Sequence, residues 1–281
     1  MTKRSVPRPA PAAAAALALL AAVLAPAPAA ANPHLAACVD PASPLRTMAE
    51  ACRRALDWGG LSRREQAAAW TNTGVALAEF DRHGDALAAY DRAARADAGF
   101  APLYVNRAIS RARRGRIDGA LEDWTQAIRL SPRDWESRLA RSGLRLQAGR
   151  AAEALADADA AVRLVPREGA AQHARARALQ ALGRPREAAA AFDRAVGLSP
   201  QEPRFWLDKG LARADADPAG ALQDMDRALR LAPDWAAGYA TRGRLHDRLG
   251  DARAANRDFR RAFELGFQAP WLNQRIEALG G

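Results

Sequence analysis

A chain of 281 residues is long enough for about two ordinary domains, and its formal net charge is +10. Hydrophobic residues make up 49% but aromatic ones only 6%, so the apolar content is mostly alanine, which suits closely packed helices and leaves little bulk for a deep ligand cavity. A basic balance can serve nucleic acid, anionic lipid or acidic partners. Here the cations are nearly all arginine and stand beside Asp and Glu along the whole chain. That distribution reads mainly as solvated helix surface with i,i+4 pairing.

Residues 1–31 open with Lys3, Arg4 and Arg8, continue with an apolar run from Ala12 to Ala25, and end on Ala29-Ala30-Ala31 before Asn32. A cationic start, a short apolar core and an A-x-A site form the pattern of a secretory signal peptide. The run is too short to span a bilayer as a helix. Without the leader's three cations the charge becomes +7. Leu35-Ala36-Ala37-Cys38 resembles a bacterial lipoprotein cleavage box, which supplies an alternative: a protein anchored to the membrane through a lipidated Cys38.

The cysteines are Cys38 and Cys52, and none lies in the later chain. In an exported protein such a pair reads as a disulfide, closing a loop of about 15 residues worth on the order of 3 kcal/mol. Residues 44–58 form the first predicted helix, with Leu45, Met48, Cys52, Ala55 and Leu56 on one face. Ser43 is its expected N-cap with Pro44 in the first turn, and Gly59-Gly60 stops it. It reads as the second helix of a pair that has lost its first. Residues 32–66 are thus expected to be a cysteine-bearing segment and cap helix.

From residue 67 the chain repeats itself. The stretch 101–134 reads APLYVNRAISRARRGRIDGALEDWTQAIRLSPRD, and its quartet Ala120, Trp124, Ala127 and Pro132 returns as Ala154, Ala158, Ala161 and Pro166, then as Ala188, Phe192, Ala195 and Pro200. The first alanines of six quartets stand at 86, 120, 154, 188, 221 and 255, a period of about 34 residues. The half before each quartet carries a small residue, in order Gly74, Ala108, Ser142, Ala176, Gly210 and Gly243. Period and pattern together resemble the helix pairs of tetratricopeptide repeat (TPR) proteins, and the stretch 51–80 resembles the opening of exported bacterial members. The resemblance implies an all-α TPR solenoid, a right-handed superhelix of antiparallel helix pairs with N- and C-terminal capping helices. The expected repeats are 67–100, 101–134, 135–168, 169–202, 203–235 and 236–269.

Departures from the family pattern are part of the reading. The family's first-helix leucine is replaced by cations such as Arg107, Lys209 and Arg242, and its tyrosine by Arg111, Arg145 and Arg213. The third repeat departs furthest, with Arg138 and Ala158 in place of bulk, and the fifth is one residue short in its internal turn. In the last segment, 270–281, Leu272, Ile276 and Leu279 share one helical face, as a solvating cap requires.

His34, His83, His173 and His246 are scattered, and no H-E-x-x-H, phosphate-binding loop, G-x-G-x-x-G or G-x-S-x-G is present. The reading is therefore a non-enzyme with no catalytic residue, metal or cofactor. The resemblance implies a protein-binding scaffold whose first helices line a groove for a peptide or helix. Aligned on the family, Val105, Ile109, Leu139, Leu146, Leu207 and Leu211 supply apolar groove positions, with Arg113, His173, Arg177, Arg204, Arg244 and Arg248 on the same surface. The expected partner is a protein or peptide with acidic residues and apolar anchors, in the periplasm. Nucleic acid is not expected, because Trp70, Trp124 and Trp206 fall at repeat core positions and leave no stacking platform. An anionic envelope polymer held by the arginines is the alternative. The carboxylate clamp used by other members is rejected, since Thr71 and Val75 stand where it places Lys and Asn, although Asn106 fits.

Overall fold

The structure, a computed structural model, describes residues 32–278. The leader, its Ala29-Ala30-Ala31 site and Leu279 lie outside the described residues. Those described form fifteen α-helices and no strand, and they fall into two compact units, 32–164 and 165–278. The first unit holds α1 (Leu35–Val39), α2 (Leu45–Trp58), α3 (Arg63–Glu79), α4 (His83–Ala96), α5 (Ala101–Arg113), α6 (Ile117–Leu130), α7 (Trp135–Gln147) and α8 (Ala151–Leu164). The second holds α9 (Gly169–Ala181), α10 (Pro185–Leu198), α11 (Pro203–Arg213), α12 (Pro218–Leu231), α13 (Ala236–Arg248), α14 (Ala252–Glu264) and α15 (Pro270–Ala278). Packing is strongest within consecutive pairs: α3 with α4, α5 with α6, α7 with α8, and likewise α9 with α10, α11 with α12 and α13 with α14.

The small-and-bulky code explains the pairing. A side chain added at Gly74 would collide with the Tyr90 ring, and one at Gly243 would come within 2.7 Å of Phe259. At Gly210 it would lie 2.9 Å from the Ala221 carbonyl and 3.0 Å from Met225. Glycine thus lets the first helix close onto the bulky residue of the second, and Tyr90, Met225 and Phe259 become core. The third repeat reaches the same closeness differently. Ala158 is fully buried, and the Ser142 hydroxyl donates to the Ala154 carbonyl at 2.9 Å, so two small surfaces meet without bulk.

The odd residue of that repeat also has a place. Tyr104 Oη, Arg138 Nη2 and Trp206 Nε1 donate to the carbonyls of Ala98, Pro132 and Pro200 respectively, at 3.0, 3.0 and 2.9 Å. Arg138 thus makes the same bond, six residues back, that the aromatic residues make. The turns within pairs carry one left-handed residue, Gly115, Gly149, Gly183 or Gly250, with Asp81 in the first repeat. The shortened fifth repeat omits it, and Asp217 instead caps α12 by accepting from the Gly220 N–H.

The N-terminal segment differs from expectation. The lone cap helix has a short companion, because Leu35-Ala36-Ala37-Cys38 forms most of α1, which packs on α2 and α3. Ser43 does not cap α2. Pro44 holds the N-cap position, without a side-chain bond, and the Ser43 hydroxyl donates to Asp40 at 3.4 Å. Proline's fixed φ suits the turn into the helix, which makes a hydroxyl cap dispensable. Helix α3 begins at Arg63, earlier than the expected repeat start, behind a capping box of Ser62 and Glu65. Cys38 and Cys52 are both fully buried and joined, with Cα atoms 4.5 Å apart. Asn32 Nδ2 donates to the Ala55 carbonyl at 2.6 Å and Asn72 Nδ2 to the Cys38 carbonyl at 2.8 Å.

Candidate functional site

The most organised side chains are the cations that replace the family's leucine and tyrosine. Arg107 on α5 donates Nε and Nη2 to the two oxygens of Asp123 on α6, at 3.0 and 2.7 Å, and Nη1 to Asp91 on α4, at 2.8 Å. Arg111, one turn on, lies 2.8 Å from the same Asp123. The next pair repeats this: Arg141 grips Asp157 at 2.8 and 2.6 Å and Thr125 Oγ1 at 2.8 Å, while Arg145 reaches Asp157 at 2.6 Å.

In the second unit Lys209 lies 2.9 Å from Asp193 and 3.7 Å from Asp224, with Arg213 at 3.2 Å from Asp224. Arg242 reaches Asp226 at 2.6 Å and Asp258 at 2.8 and 2.6 Å. Its hydrogen bonds with Asp258 push the guanidinium pKa further up. Arg107, Arg141, Lys209 and Arg242 therefore each tie their own second helix to the second helix of the preceding pair, while Arg111, Arg145 and Arg213 reinforce the aspartate of their own pair.

Asp123, Asp157, Asp224 and Asp258 are at most 6% exposed. The solvated-surface reading of the charge therefore needs correction. It holds for i,i+4 pairs such as Arg53–Asp57 and Arg54–Glu50, but part of the arginine content is buried between helices, with its charge matched. Sequence reasoning missed these aspartates, although a signal exists. The residue before the bulky position is Asp in the repeats with Arg111, Arg145, Arg213 or His246, and Ala89 or Ala191 where Leu77 or Leu179 stands.

The expected groove residues divide in the structure. Leu207 is 5% exposed and packs with Met225 and Leu245, so it is core and not a partner contact. Its position faces the neighbouring pair. His173 is also buried. Its Nε2 lies 2.8 Å from Asp208 Oδ2, and its ring stacks on Phe205 at 4.4 Å. Burial pushes the His173 pKa down. For Asp208 burial acts upward, but the His173 hydrogen bond and the Arg177 and Arg204 charges hold the carboxyl below its usual range. His173 Nε2 thus faces a carboxylate oxygen at hydrogen-bond distance, where its N–H form donates.

Arg204 stands 3.8 Å from Asp208, so α9 and α11 bring His173, Arg177 and Arg204 together. Arg248 is instead paired with Asp215 at 2.8 Å, a partner in the shortened turn, and Arg244 lies over the Trp271 ring at 5.8 Å. Leu211 is 46% exposed. In the first unit Val105, Ile109, Leu139 and Leu146 are half-buried, with Val105 packed against the Phe100 cluster and Ile109 against the Trp124 cluster. Arg113 is exposed, and its charge joins burial in lowering the His83 pKa. Asn106 is buried and donates to Pro102 within its own helix. No group of three or more His, Cys, Asp or Glu among the described residues is arranged to hold a metal ion.

A tetratricopeptide repeat family model matches residues 49–99 and 105–168, and a second one matches 169–214, together more than half of the chain. The chain belongs to the tetratricopeptide repeat family. A TPR protein from Parabacteroides merdae ATCC 43184 is similar in structure with a TM-score of 0.69 at 19% identity, over 83% of this chain and 91% of that one. YrrB, described as a TPR protein with an unusual peptide-binding site, gives 0.53 at 21% identity, over 66% and 94%. A thermophilic TPR protein of Thermus thermophilus gives 0.54 at 19% identity, over 64% and 98%. No curated protein sequence matches this TPR chain. These likenesses show the TPR fold, as paired helices.

Proposed function

We propose that this TPR protein is a non-catalytic scaffold of the bacterial cell envelope that holds an acidic peptide or helix with apolar anchors. The observation that carries the reading is Leu211, a large apolar side chain 46% exposed in α11. It lies seven residues from Arg204, on the same helical face. Arg177 from α9 adds its charge next to Arg204 through their shared neighbour Asp208. An apolar anchor rimmed by arginines fits a ligand carrying both apolar and acidic groups. The arginines chiefly steer and select, while the anchor sets residence time. The peptide-binding site for which YrrB is described supports the choice of a peptide. Envelope placement rests on the leader pattern of 1–31 and on the cysteine pair.

The test is crosslinking and pull-down from the envelope of the native cell. Arg177→Glu with Arg244→Glu should weaken partner capture at least tenfold, about 1.4 kcal/mol, with unchanged helical circular dichroism. Capture that survives this reversal but is lost on charge changes at the exposed Gln274 and Glu277 of α15 would move docking to the last helix. The alternative ligand, an anionic envelope polymer, is favoured by the exposed Arg113, Arg114 and Arg116. Its binding should fall steeply with salt, whereas capture held by apolar anchors should fall less.

A further inference from the structure

Helices α2, α3 and α4 line a half-open cavity of about 720 Å³ in the first unit. Its position follows from the cation ladder. In later repeats the first-helix cation lies over the ring three residues earlier: Arg107 over Tyr104 at 5.3 Å, Lys209 over Trp206 at 5.3 Å and Arg242 over Tyr239 at 5.6 Å. The same cation reaches the aspartate sixteen residues earlier, Asp91, Asp193 and Asp226 respectively. In the first repeat this register gives Thr73 for the cation, Trp70 for the ring and Asp57 for the aspartate. All three line the cavity. Threonine lacks the long stem, and its hydroxyl donates back to Ala69 at 2.9 Å, so α3 sends no cation into this cleft, whereas the matching cleft of about 550 Å³ between α10 and α11 is lined by Lys209 beside Asp193.

The lining decides what fits. Leu56, Leu61 and Trp70 supply apolar walls. Asp57 already faces Arg53 at 3.2 Å. Arg92 is exposed, stacks on Trp70 at 4.6 Å, and forms no ion pair among the described residues. The lining therefore carries one positive charge beyond its internal pair, which disfavours the cation that the register alone would suggest. We infer that this cavity binds an aromatic or branched apolar group bearing a single anionic charge, supplied by an acidic peptide segment of a partner. The apolar body lies against Leu56, Leu61 and Trp70, and the anion meets Arg92. The inference rests on the peptide-binding reading but places a second contact at the N-terminal end of the array.

The test uses the purified protein and two dyes, the anionic aromatic 1-anilinonaphthalene-8-sulfonate and the neutral N-phenyl-1-naphthylamine. Thr73→Arg restores the missing ladder cation, with Asp57 as its partner, and takes up space against the Trp70 wall of the cleft. It should weaken the sulfonate dye at least tenfold while leaving helicity unchanged. Ala49→Phe, from the α2 wall, fills the same space without adding charge and should do likewise if Thr73→Arg disturbs folding. Arg92→Gln should weaken the sulfonate at least threefold and change the neutral dye less than twofold. Sulfonate binding unaffected by the folded plugging variants would overturn the site. Equal losses of both dyes on Arg92→Gln would overturn the anion preference. Because dye binding needs no captured partner, failure of the Arg177 and Arg244 reversal counts against the groove and leaves this result standing.

Discussion

Asp123 shows what a single residue does in this protein. Two guanidiniums converge on a carboxylate that is 3% exposed, so removing the carboxylate strands positive charge between helices. Breaking such a buried arrangement from one side costs about 3–5 kcal/mol. Asp123→Ala should therefore lower stability by roughly that amount in urea unfolding. Arg111→Leu together with Asp123→Ala should cost less, because the fourth repeat already carries the combination Leu179 with Ala191. A double variant as unstable as the single one would refute the pairing logic. The histidines act through pH. Burial lowers the pKa of His173, and burial with the Arg113 charge lowers that of His83. Both are favoured neutral in the fold, so the unfolded chain binds more protons between their folded pKa values and 6.5. This contribution is full above that window and is lost as pH falls through it. The urea midpoint should be lower near pH ~5.5 than near ~7.5, and His173→Gln, which keeps an N–H for Asp208, should reduce the difference. An unchanged difference would refute the role of His173.

At the scale of elements, the N-terminal end is held by several short connections. Helix α1 has five residues, too few to be stable alone. It is fixed by the Cys38–Cys52 contact, by Asn72 Nδ2 on the Cys38 carbonyl, and, just before it, by Asn32 on Ala55. Free-thiol titration of unreduced, denatured protein should find no thiol. Cys52→Ser should lower stability by on the order of 3 kcal/mol in the chain-entropy model while leaving most helicity intact. The apolar clusters around Trp124, Met225 and Phe259 contain neither cysteine. A finding of two titratable thiols would overturn the bridge.

For the whole molecule, nearest-neighbour packing within each unit makes each pair depend on the next, and the end pairs need covers. At the C-terminal end α15 buries Leu272 and Ile276 against the Phe259 cluster, and Arg275 donates to Asp247 and Asn256 at 2.8 and 3.1 Å. At the other end α1 and α2 pack against α3. If the leader is removed as we propose, the chain should begin at Asn32, which intact mass and N-terminal sequencing will check. A diacylated chain beginning at Cys38 would overturn both that start and the bridge, and would make the protein membrane-anchored.

The paired-helix fold was legible in the sequence because it depends on local regularities. A fixed period, small residues at Gly74, Gly210 and Gly243, and bulk at Tyr90, Met225 and Phe259 specify close helix pairs whatever lies elsewhere. Residue position within a helix also placed Leu272 and Ile276 on one face. The site was less legible, because burial depends on what the neighbouring pair brings. Leu207 and Leu211 look alike in sequence, yet one is core and the other 46% exposed. Only the tertiary structure showed that Arg248 meets Asp215 in the shortened turn, that Arg107 bridges two second helices, and that Thr73, Trp70 and Arg92 line one cleft. Such contacts join residues sixteen or more apart on different elements, and a linear pattern fixes spacing along a helix but not which charged tips meet across it.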